Sequence, residues 1–217
     1  MADLPRQGEV MQRDRVLPDA ELALVWKASD EGLFGPFFRL LILTGARRDE
    51  IGALRWSEIK GDTIEMEGGR TKNGEPHTIP LAPVAAALID ALPRIAKSEF
   101  VFTTTVKTPV SGWSKAKATL DRAVTKLNGG KAIEPWRIHD LRRTMATGLQ
   151  RLGVNLQVIE AILGHISGSR AGIVGIYQRH QFDSEKRQAL NRWAQHIGTL
   201  TGDKPAKVVP MRRRVSP

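Results

Sequence analysis

The stretch LLILTGARRDEIGALRW occupies residues 40–56, where an apolar run gives way abruptly to a charged one. Its first half belongs to Leu33–Leu43, which has almost no polar face and is therefore predicted to be a helix inside the core. Thr44-Gly45 is predicted to end that helix, because glycine accepts the left-handed conformation common after helix C-termini. The centre of the fold thus lies next to a group of charges.

Arg47 follows this turn and is predicted to emerge from the core rather than from a solvated face. A short helix over Arg48–Leu54 comes next and directs Ile51 inward. An arginine in this position needs an anionic partner. An internal carboxylate such as Glu50 and a ligand phosphate are the two candidates, and Glu50 is expected to support a basic residue rather than to react.

Short strands and further helices are predicted on both sides of this segment. A helix opens at Pro18, which the first turn of a helix tolerates. GGRTKNG at 68–74 has the glycines and the Asn-Gly pair of a hairpin turn. The predicted strands are Trp56–Ile59, Asp62–Glu67 and His77–Leu81, with Phe100–Phe102 as one more, and the later helices are Val84–Ile95, Ser114–Leu127, Leu141–Leu152, Leu156–Leu163 and Ser184–Ile197. The fold class is therefore mainly α with a small antiparallel β-sheet (α+β).

The composition favours a polyanionic partner. The chain has 217 residues, a formal net charge of +10 and a pI near 10.3, which together favour nucleic acid. It has no cysteine, so disulfides, thiol catalysis and cysteine-ligated zinc are excluded. Its five histidines form no HxxxH pair, and no GxxxxGK[ST] loop or apolar span is present. Metal, nucleotide cofactor and membrane are accordingly not expected.

Several polar residues stand out, although each also has an ordinary structural explanation. His139 and Arg142 are three residues apart on one face of a helix start, with Asp140 as the candidate N-cap. Lys72 lies at a hairpin tip, where a solubilising lysine is common. The remaining candidates are His165, which follows a helix-ending Leu163-Gly164, and Tyr177, the single tyrosine of the chain.

The order of these residues resembles the catalytic domain of the tyrosine recombinases, the phage integrase family. The matching stretches are LLILTGARRDEIGALRW, GGRTKNGEPHTIPL, RIHDLRRTMATGL, ILGH and GIYQRH, and the resemblance covers roughly residues 17–197. It implies a leader or linker remnant at 1–16, a catalytic domain at 17–198 with the tyrosine-recombinase fold, and a basic, flexible C-terminal tail at 199–217. The final predicted helix is similar to that of integrases from temperate phages and integrative islands.

The resemblance also implies a chemistry and its residues. Tyr177 would attack a DNA phosphodiester to form a 3′-phosphotyrosyl bond and release a 5′-hydroxyl, with no cofactor. Arg47 and Arg142 would bind the phosphoryl oxygens. Lys72 would be the general acid, His139 the general base or an orienting group, and His165 a hydrogen-bond donor to a non-bridging oxygen.

Double-stranded DNA carrying attachment sites is the implied partner, in the bacterial cytoplasm at the nucleoid. Full-length members act as homotetramers on DNA, whereas this domain alone is expected to be monomeric. Two departures from the family are noted: the N-terminal DNA-binding domains have no room in this chain, and the interval from His165 to Tyr177 is slightly long. Phosphate contacts are predicted for basic side chains that could equally be solvated surface: Arg48, Arg70, Lys115, Lys117 and Arg143.

Two other functions remain open from the sequence. A type IB topoisomerase-like enzyme would use the same chemistry to nick and relax DNA without exchanging strands. A non-catalytic basic DNA-binding module would retain the charge but not the reaction. The presence of all six expected side chains argues against the second alternative, and the low aromatic content of 6% argues against an RNA-binding domain.

Overall fold

A computed structural model describes residues 14–30, 32–165 and 182–202. No helix within these ranges is long and apolar enough to cross a membrane. The helices are α1 (Asp19–Ala28), α2 (Phe34–Thr44), α3 (Arg48–Gly52), α4 (Pro83–Asp90), α5 (Trp113–Leu127), α6 (Ile138–Arg151), α7 (Leu156–Leu163) and α8 (Asp183–Thr201). The strands are β1 (Ile59–Lys60), β2 (Thr63–Met66) and β3 (His77–Pro80). The predicted α+β class is confirmed.

Helix α2 is the centre of the molecule, as its sequence predicts. It packs against α1, α3, α4, α6 and α8, and nearly all of its side chains are buried. Trp193 of α8 is fully buried against it and donates its indole N–H to the carbonyl of Ile42 at 2.8 Å. Gly45 ends α2 in the left-handed conformation with φ of 61°. A side chain there would overlap the sulfur of Met145, so α2 and α6 approach closely at this point.

The small sheet is antiparallel in the order β1-β2-β3. Ile64 of β2 pairs with Ile79 of β3, and both side chains are buried against the helices. Helix α8 is fastened to the sheet by Lys186, whose ammonium donates to the carbonyl of Thr78 at 3.1 Å, and by Arg187, which pairs with Asp62. The sheet therefore occupies a fixed position beside the C-terminal helix.

The predicted strand Trp56–Ile59 is largely wrong. Residues 56–58 form a 3-10 turn, and β1 begins only at Ile59. The reason is local: the carboxylate of Glu58 accepts the backbone N–H of Arg55 at 2.9 Å and also binds Arg70. This side chain closes a tight turn where a strand would need an extended backbone.

Helix α4, the stretch Phe100–Phe102 and helix α8 also differ from their predictions. Helix α4 ends at Asp90 rather than Ile95, since Pro93 disfavours helical geometry in the residue before it. Phe100–Phe102 is not a strand; a single bridge joins Phe100 to Arg55. Helix α8 continues to Thr201, four residues beyond the predicted Ile197 and into the segment assigned to the tail.

The contact between α6 and α8 should tolerate no added volume. A Cβ at Gly148 would overlap the ring of Trp193, which is fully buried and cannot move aside. We expect Gly148→Ala to lower the free energy of unfolding by about 1–3 kcal/mol, despite the better helix propensity of alanine. Urea denaturation measures the change.

Gly69→Ala is the matched control, because a Cβ at Gly69 meets no atom within 4 Å. Its unfolding free energy should stay within about 0.5 kcal/mol of the wild type. Equal stabilities for the two variants would contradict the close packing of α6 on α8.

Candidate active site

Arg47 is held at the start of α3 by Glu50. The Arg47 guanidinium donates to one oxygen of this carboxylate at 2.6 Å, and the Arg47 backbone N–H donates to the other at 2.8 Å. Glu50 is only 4% exposed, whereas the Arg47 side chain is 23% exposed. The carboxylate therefore forms the floor of the site and leaves part of the guanidinium accessible. The predicted supporting role of Glu50 agrees with this pairing.

Arg142 lies beneath the same site and is 5% exposed. Its guanidinium donates to the carbonyl of Gly45 at 2.7 Å and to the carbonyl of Leu163, and it contacts Nε2 of His165 at 2.9 Å. Burial, together with the nearby charge of Arg47, lowers the pKa of Arg142 to about 10. Arg142 is still positively charged at neutral pH, and no carboxylate among the described residues forms an ion pair with it.

His139 lies one turn before Arg142 on α6, and its side chain is exposed. Partial desolvation and the positive charges of Arg142 and Arg143 lower the pKa of His139. The imidazole is therefore neutral at physiological pH and able to accept a proton. This is the state that a general base requires.

The prediction that Asp140 is the N-cap of α6 is wrong. The helix begins at Ile138, so Asp140 lies in its first turn, fully buried. From there its carboxylate accepts the backbone N–H of Arg137 at 2.7 Å and the guanidinium of Arg143 at 2.9 Å. Asp140 still accepts a free backbone N–H at the helix start, that of Arg137, but it does so by reaching back from inside the helix.

His165 follows the left-handed Gly164 that ends α7. Because a guanidinium can only donate, Nε2 of His165 must accept the hydrogen bond from Arg142, and the ring proton is then on Nδ1. Burial and the charges of Arg142 and Arg47 lower the pKa of His165, which favours this neutral form. His165 thus presents an N–H donor from an exposed position.

The loop that contains Lys72 is attached to the same region. The neighbouring Asn73 donates its side-chain N–H to the carbonyl of Gly164 at 3.2 Å. Lys72 itself is exposed, and its ammonium forms no hydrogen bond or ion pair with another described residue. Tyr177 lies outside the described residues, which stop at His165 and resume at Phe182.

The structure thus brings together four of the six predicted residues, Arg47, Arg142, His139 and His165, and places the Lys72 loop beside them. The sequence reasoning missed His77, whose ring donates to the carbonyl of Ile162 at 3.0 Å. The strand pattern contains a signal for it. Residues 77 and 79 of β3 share one face, and Ile79 is buried, so His77 must also point inward.

Most of the predicted phosphate contacts are engaged within the protein. Arg70 binds Glu58 through two nitrogens and the carbonyl of Ala53, so it holds the 3-10 turn in place and is not a free cation. Arg48, Lys117 and Arg143 each pair with a carboxylate. Lys115 is exposed and forms no ion pair within the described part of the chain.

Comparison with known proteins connects this arrangement to one family. Residues 27–184 match the model of the phage integrase family. Prophage integrase IntF of Escherichia coli is 28% identical over 178 residues, which cover 75% of this chain and 33% of that protein. A tyrosine recombinase of Thermosipho africanus is 30% identical over 158 residues, covering 68% of this chain and 51% of that protein. The chain therefore spans a third to a half of the length of these relatives.

A lambda integrase tetramer bound to a Holliday junction has the same fold. It superposes with a TM-score of 0.55 over 79% of this chain and 53% of the lambda chain, at 20% sequence identity. At this level of identity the likeness concerns the arrangement of helices and strands alone.

The titration of His77 should appear in the stability of the protein. Burial and the charges of Lys186 and Arg142 lower its pKa from 6.5 to about 4, against the opposing effect of Glu50. Between these values His77 is protonated in the unfolded chain but not in the folded protein. Its contribution to the free energy of unfolding is therefore fully present above about pH 6.5 and is lost as the pH falls toward 4. His77→Gln removes this dependence, which is worth up to about 3 kcal/mol.

Urea denaturation of both proteins at several pH values from 7 to 4.5 measures the difference. The wild type should lose more stability over this range than His77→Gln. Parallel losses would show that His77 is as easily protonated in the folded protein as in the unfolded chain.

Proposed function

This chain belongs to the phage integrase family, and on that premise we propose that residues 17–198 form a catalytic domain that cleaves and rejoins DNA as a site-specific recombinase. The observation that carries the proposal is the buried Arg142 beside Arg47, which is paired with the α3 carboxylate of Glu50. Within the described residues, two guanidiniums share a single paired carboxylate, which leaves an excess of positive charge. A phosphodiester is the anion that this charge suits.

The proposed reaction is a transesterification at phosphorus. The Tyr177 oxygen bonds to the phosphorus, the bond from phosphorus to the 5′-oxygen breaks, and that oxygen leaves with the electron pair and takes a proton. The bond to tyrosine retains the energy of the broken bond. A 5′-hydroxyl from another strand then attacks the 3′-phosphotyrosyl bond and releases the tyrosine, so the reaction needs no nucleotide cofactor.

Arg47 and Arg142 would stabilise the additional negative charge of the pentacoordinate transition state. Arg142 is suited to this role because its position is already determined by the carbonyls of Gly45 and Leu163. A cation that is fixed before the substrate arrives does not have to reorganise during the reaction. His165, with its proton on Nδ1, would donate a hydrogen bond to a non-bridging phosphoryl oxygen.

The two proton transfers require a base and an acid. His139 is neutral and exposed, so it could accept the proton that Tyr177 loses. Lys72 is exposed on a loop tethered to α7 through Asn73, which would allow its ammonium to approach the leaving 5′-oxygen. Lys72 forms no ion pair with a described residue, so its ammonium would be free to turn toward the phosphate of bound DNA.

Double-stranded DNA with attachment sites is the proposed partner, in the bacterial cytoplasm at the nucleoid. The lambda integrase structure is a tetramer on a Holliday junction, which supports a tetramer for the full-length protein and strand exchange as the outcome. This domain alone would be monomeric.

Covalent trapping tests the proposal directly. We expect the wild type to form a protein–DNA adduct with nicked suicide duplexes that carry the ends of its element, in low salt without divalent metal. The adduct appears as a shifted band on a denaturing gel. Because the chain has one tyrosine, Tyr177→Phe should abolish the band while DNA binding persists.

Two outcomes would contradict the proposal. DNA binding without an adduct, even with the N-terminal DNA-binding domains of a relative added, would leave a non-catalytic binding module. Relaxation of supercoiled plasmid without recombinant products would identify a nicking and relaxing enzyme.

The role of Lys72 can be tested by changing the leaving group. Lys72→Ala should slow cleavage by about 10²- to 10⁴-fold, the usual contribution of a general acid. A substrate with sulfur in place of the bridging 5′-oxygen should restore the rate, because a thiolate, with a conjugate-acid pKa of about 8.5, leaves without protonation. Single-turnover cleavage measures both rates.

Lys60→Ala is the matched control, since Lys60 is an exposed lysine of β1, outside the loop that contains Lys72. It should cleave both substrates at the wild-type rates. If sulfur does not rescue Lys72→Ala, the lysine acts in DNA binding and not as the acid.

A further inference from the structure

The C-terminal turn of α7 is an unusually crowded part of the site. His165 donates its backbone N–H to the carbonyl of Glu160, and Gly164 donates to Ala161, which is the pair of hydrogen bonds that ends many helices at a left-handed glycine. The carbonyls that follow in the sequence are not used by this pair. Groups of this kind at a helix end require partners from elsewhere.

Side chains from distant parts of the chain bind three consecutive carbonyls here. Two of these side chains belong to the hairpin that contains Lys72, and the third is that of the proposed catalytic arginine. The contacts are His77 to Ile162 at 3.0 Å, Arg142 to Leu163, and Asn73 to Gly164 at 3.2 Å.

We propose that His77 is a positioning residue for the reaction, acting through the last turn of α7 to hold Arg142 and His165 in place. This inference rests on the proposed function. His77 binds the carbonyl of Ile162, and Arg142 binds the adjacent carbonyl of Leu163. His165 lies two residues after Leu163. A shift of this turn would therefore displace the Leu163 carbonyl, which binds Arg142, together with the backbone of His165.

The surroundings of His77 explain how it can hold the last turn of α7 in place. It lies on β3, where the adjacent Thr78 carbonyl is bound by the buried Lys186 of α8. Its ring also packs against Gly164, where an added Cβ would lie 3.2 Å from ring atoms. The imidazole thus joins the sheet to the end of α7 by a hydrogen bond and by direct contact.

His77 is not suited to the chemistry itself. Its Nε2 must donate to the Ile162 carbonyl, since a carbonyl can only accept. This nitrogen is therefore unavailable to the phosphate or to the tyrosine. The expected effect of removing it is on geometry, and a displacement of about 1 Å in an active site can slow a reaction about a hundredfold.

Three substitutions separate the hydrogen bond from the shape of the ring. His77→Gln can place its amide N–H near the position of Nε2, whereas the shorter His77→Asn places it near Nδ1. His77→Phe retains a ring of similar shape but has no donor. His196→Gln is the control, because His196 is a partly buried histidine of α8 that contacts Asp19 and makes none of the three hydrogen bonds to the α7 terminus.

Single-turnover cleavage at saturating DNA, DNA affinity and thermal unfolding would be measured for each protein. We expect His77→Phe and His77→Asn to cleave roughly tenfold to a hundredfold more slowly, with DNA affinity within about twofold of the wild type. His77→Gln should recover most of the rate, and His196→Gln should match the wild type. Equal rates in all variants, or equal slowing in His77→Gln and His77→Phe, would overturn the proposal.

The ¹⁵N signals of the His165 ring provide a second measurement that needs no activity. The wild type and His77→Gln should show a protonated Nδ1 and an unprotonated Nε2, and His77→Phe should change this pattern as the contact with Arg142 is lost. Unchanged His165 signals in His77→Phe would overturn the positioning role. Failure of the wild type to form a DNA adduct would instead overturn the proposed function, so the two failures are distinct.

Discussion

The rest of the site depends on a buried guanidinium, Arg142, that forms no ion pair with any carboxylate in the described part of the chain. Arg142 is satisfied by carbonyls at the C-terminal ends of two helices, Gly45 after α2 and Leu163 at the end of α7. Helix C-termini carry partial negative charge, so they suit a cation that is proposed to bind an anionic ligand. A carboxylate would neutralise Arg142, whereas carbonyl dipoles fix its position and leave its charge in place. Burial of this cation therefore requires α2 and α7 to end at the same point.

Burial and positive charge together set the protonation of the neighbouring groups. Partial burial is the largest cause that lowers the pKa of His139 and His165, and the charges of Arg142 and Arg47 act in the same direction. Both imidazoles are consequently neutral before DNA binds, one able to accept a proton and the other able to donate a hydrogen bond. A bound phosphodiester would reverse part of this effect, since its negative charge favours a protonated histidine. Such a change would help His139 to hold a proton taken from the tyrosine during cleavage.

The sequence predicts the parts of this molecule that depend on apolar pattern and on residue order. The burial of α2 and the left-handed glycine after it follow from LLILTG, and the set Arg47, His139, Arg142 and His165 follows from a family resemblance. Two of the errors have another cause: the buried carboxylates of Glu58 and Asp140 each accept a nearby backbone N–H and reshape the chain locally. Contacts such as His77 with Ile162 join residues far apart in the chain, and a local pattern shows only which face is buried.

The elements on either side of the sequence that contains Tyr177 are connected to the same framework. His165 precedes it and is bound to Arg142, while α8 follows it and is fastened to the sheet through Lys186. Because His77 joins that sheet to the end of α7, the two flanking attachments cannot move independently without breaking this hydrogen bond. The guanidiniums, the Lys72 hairpin and the elements on both sides of the proposed nucleophile thus belong to one connected set of contacts. Precision at the phosphorus would then come from the core around α2, although the reacting groups themselves lie at helix ends and on a loop.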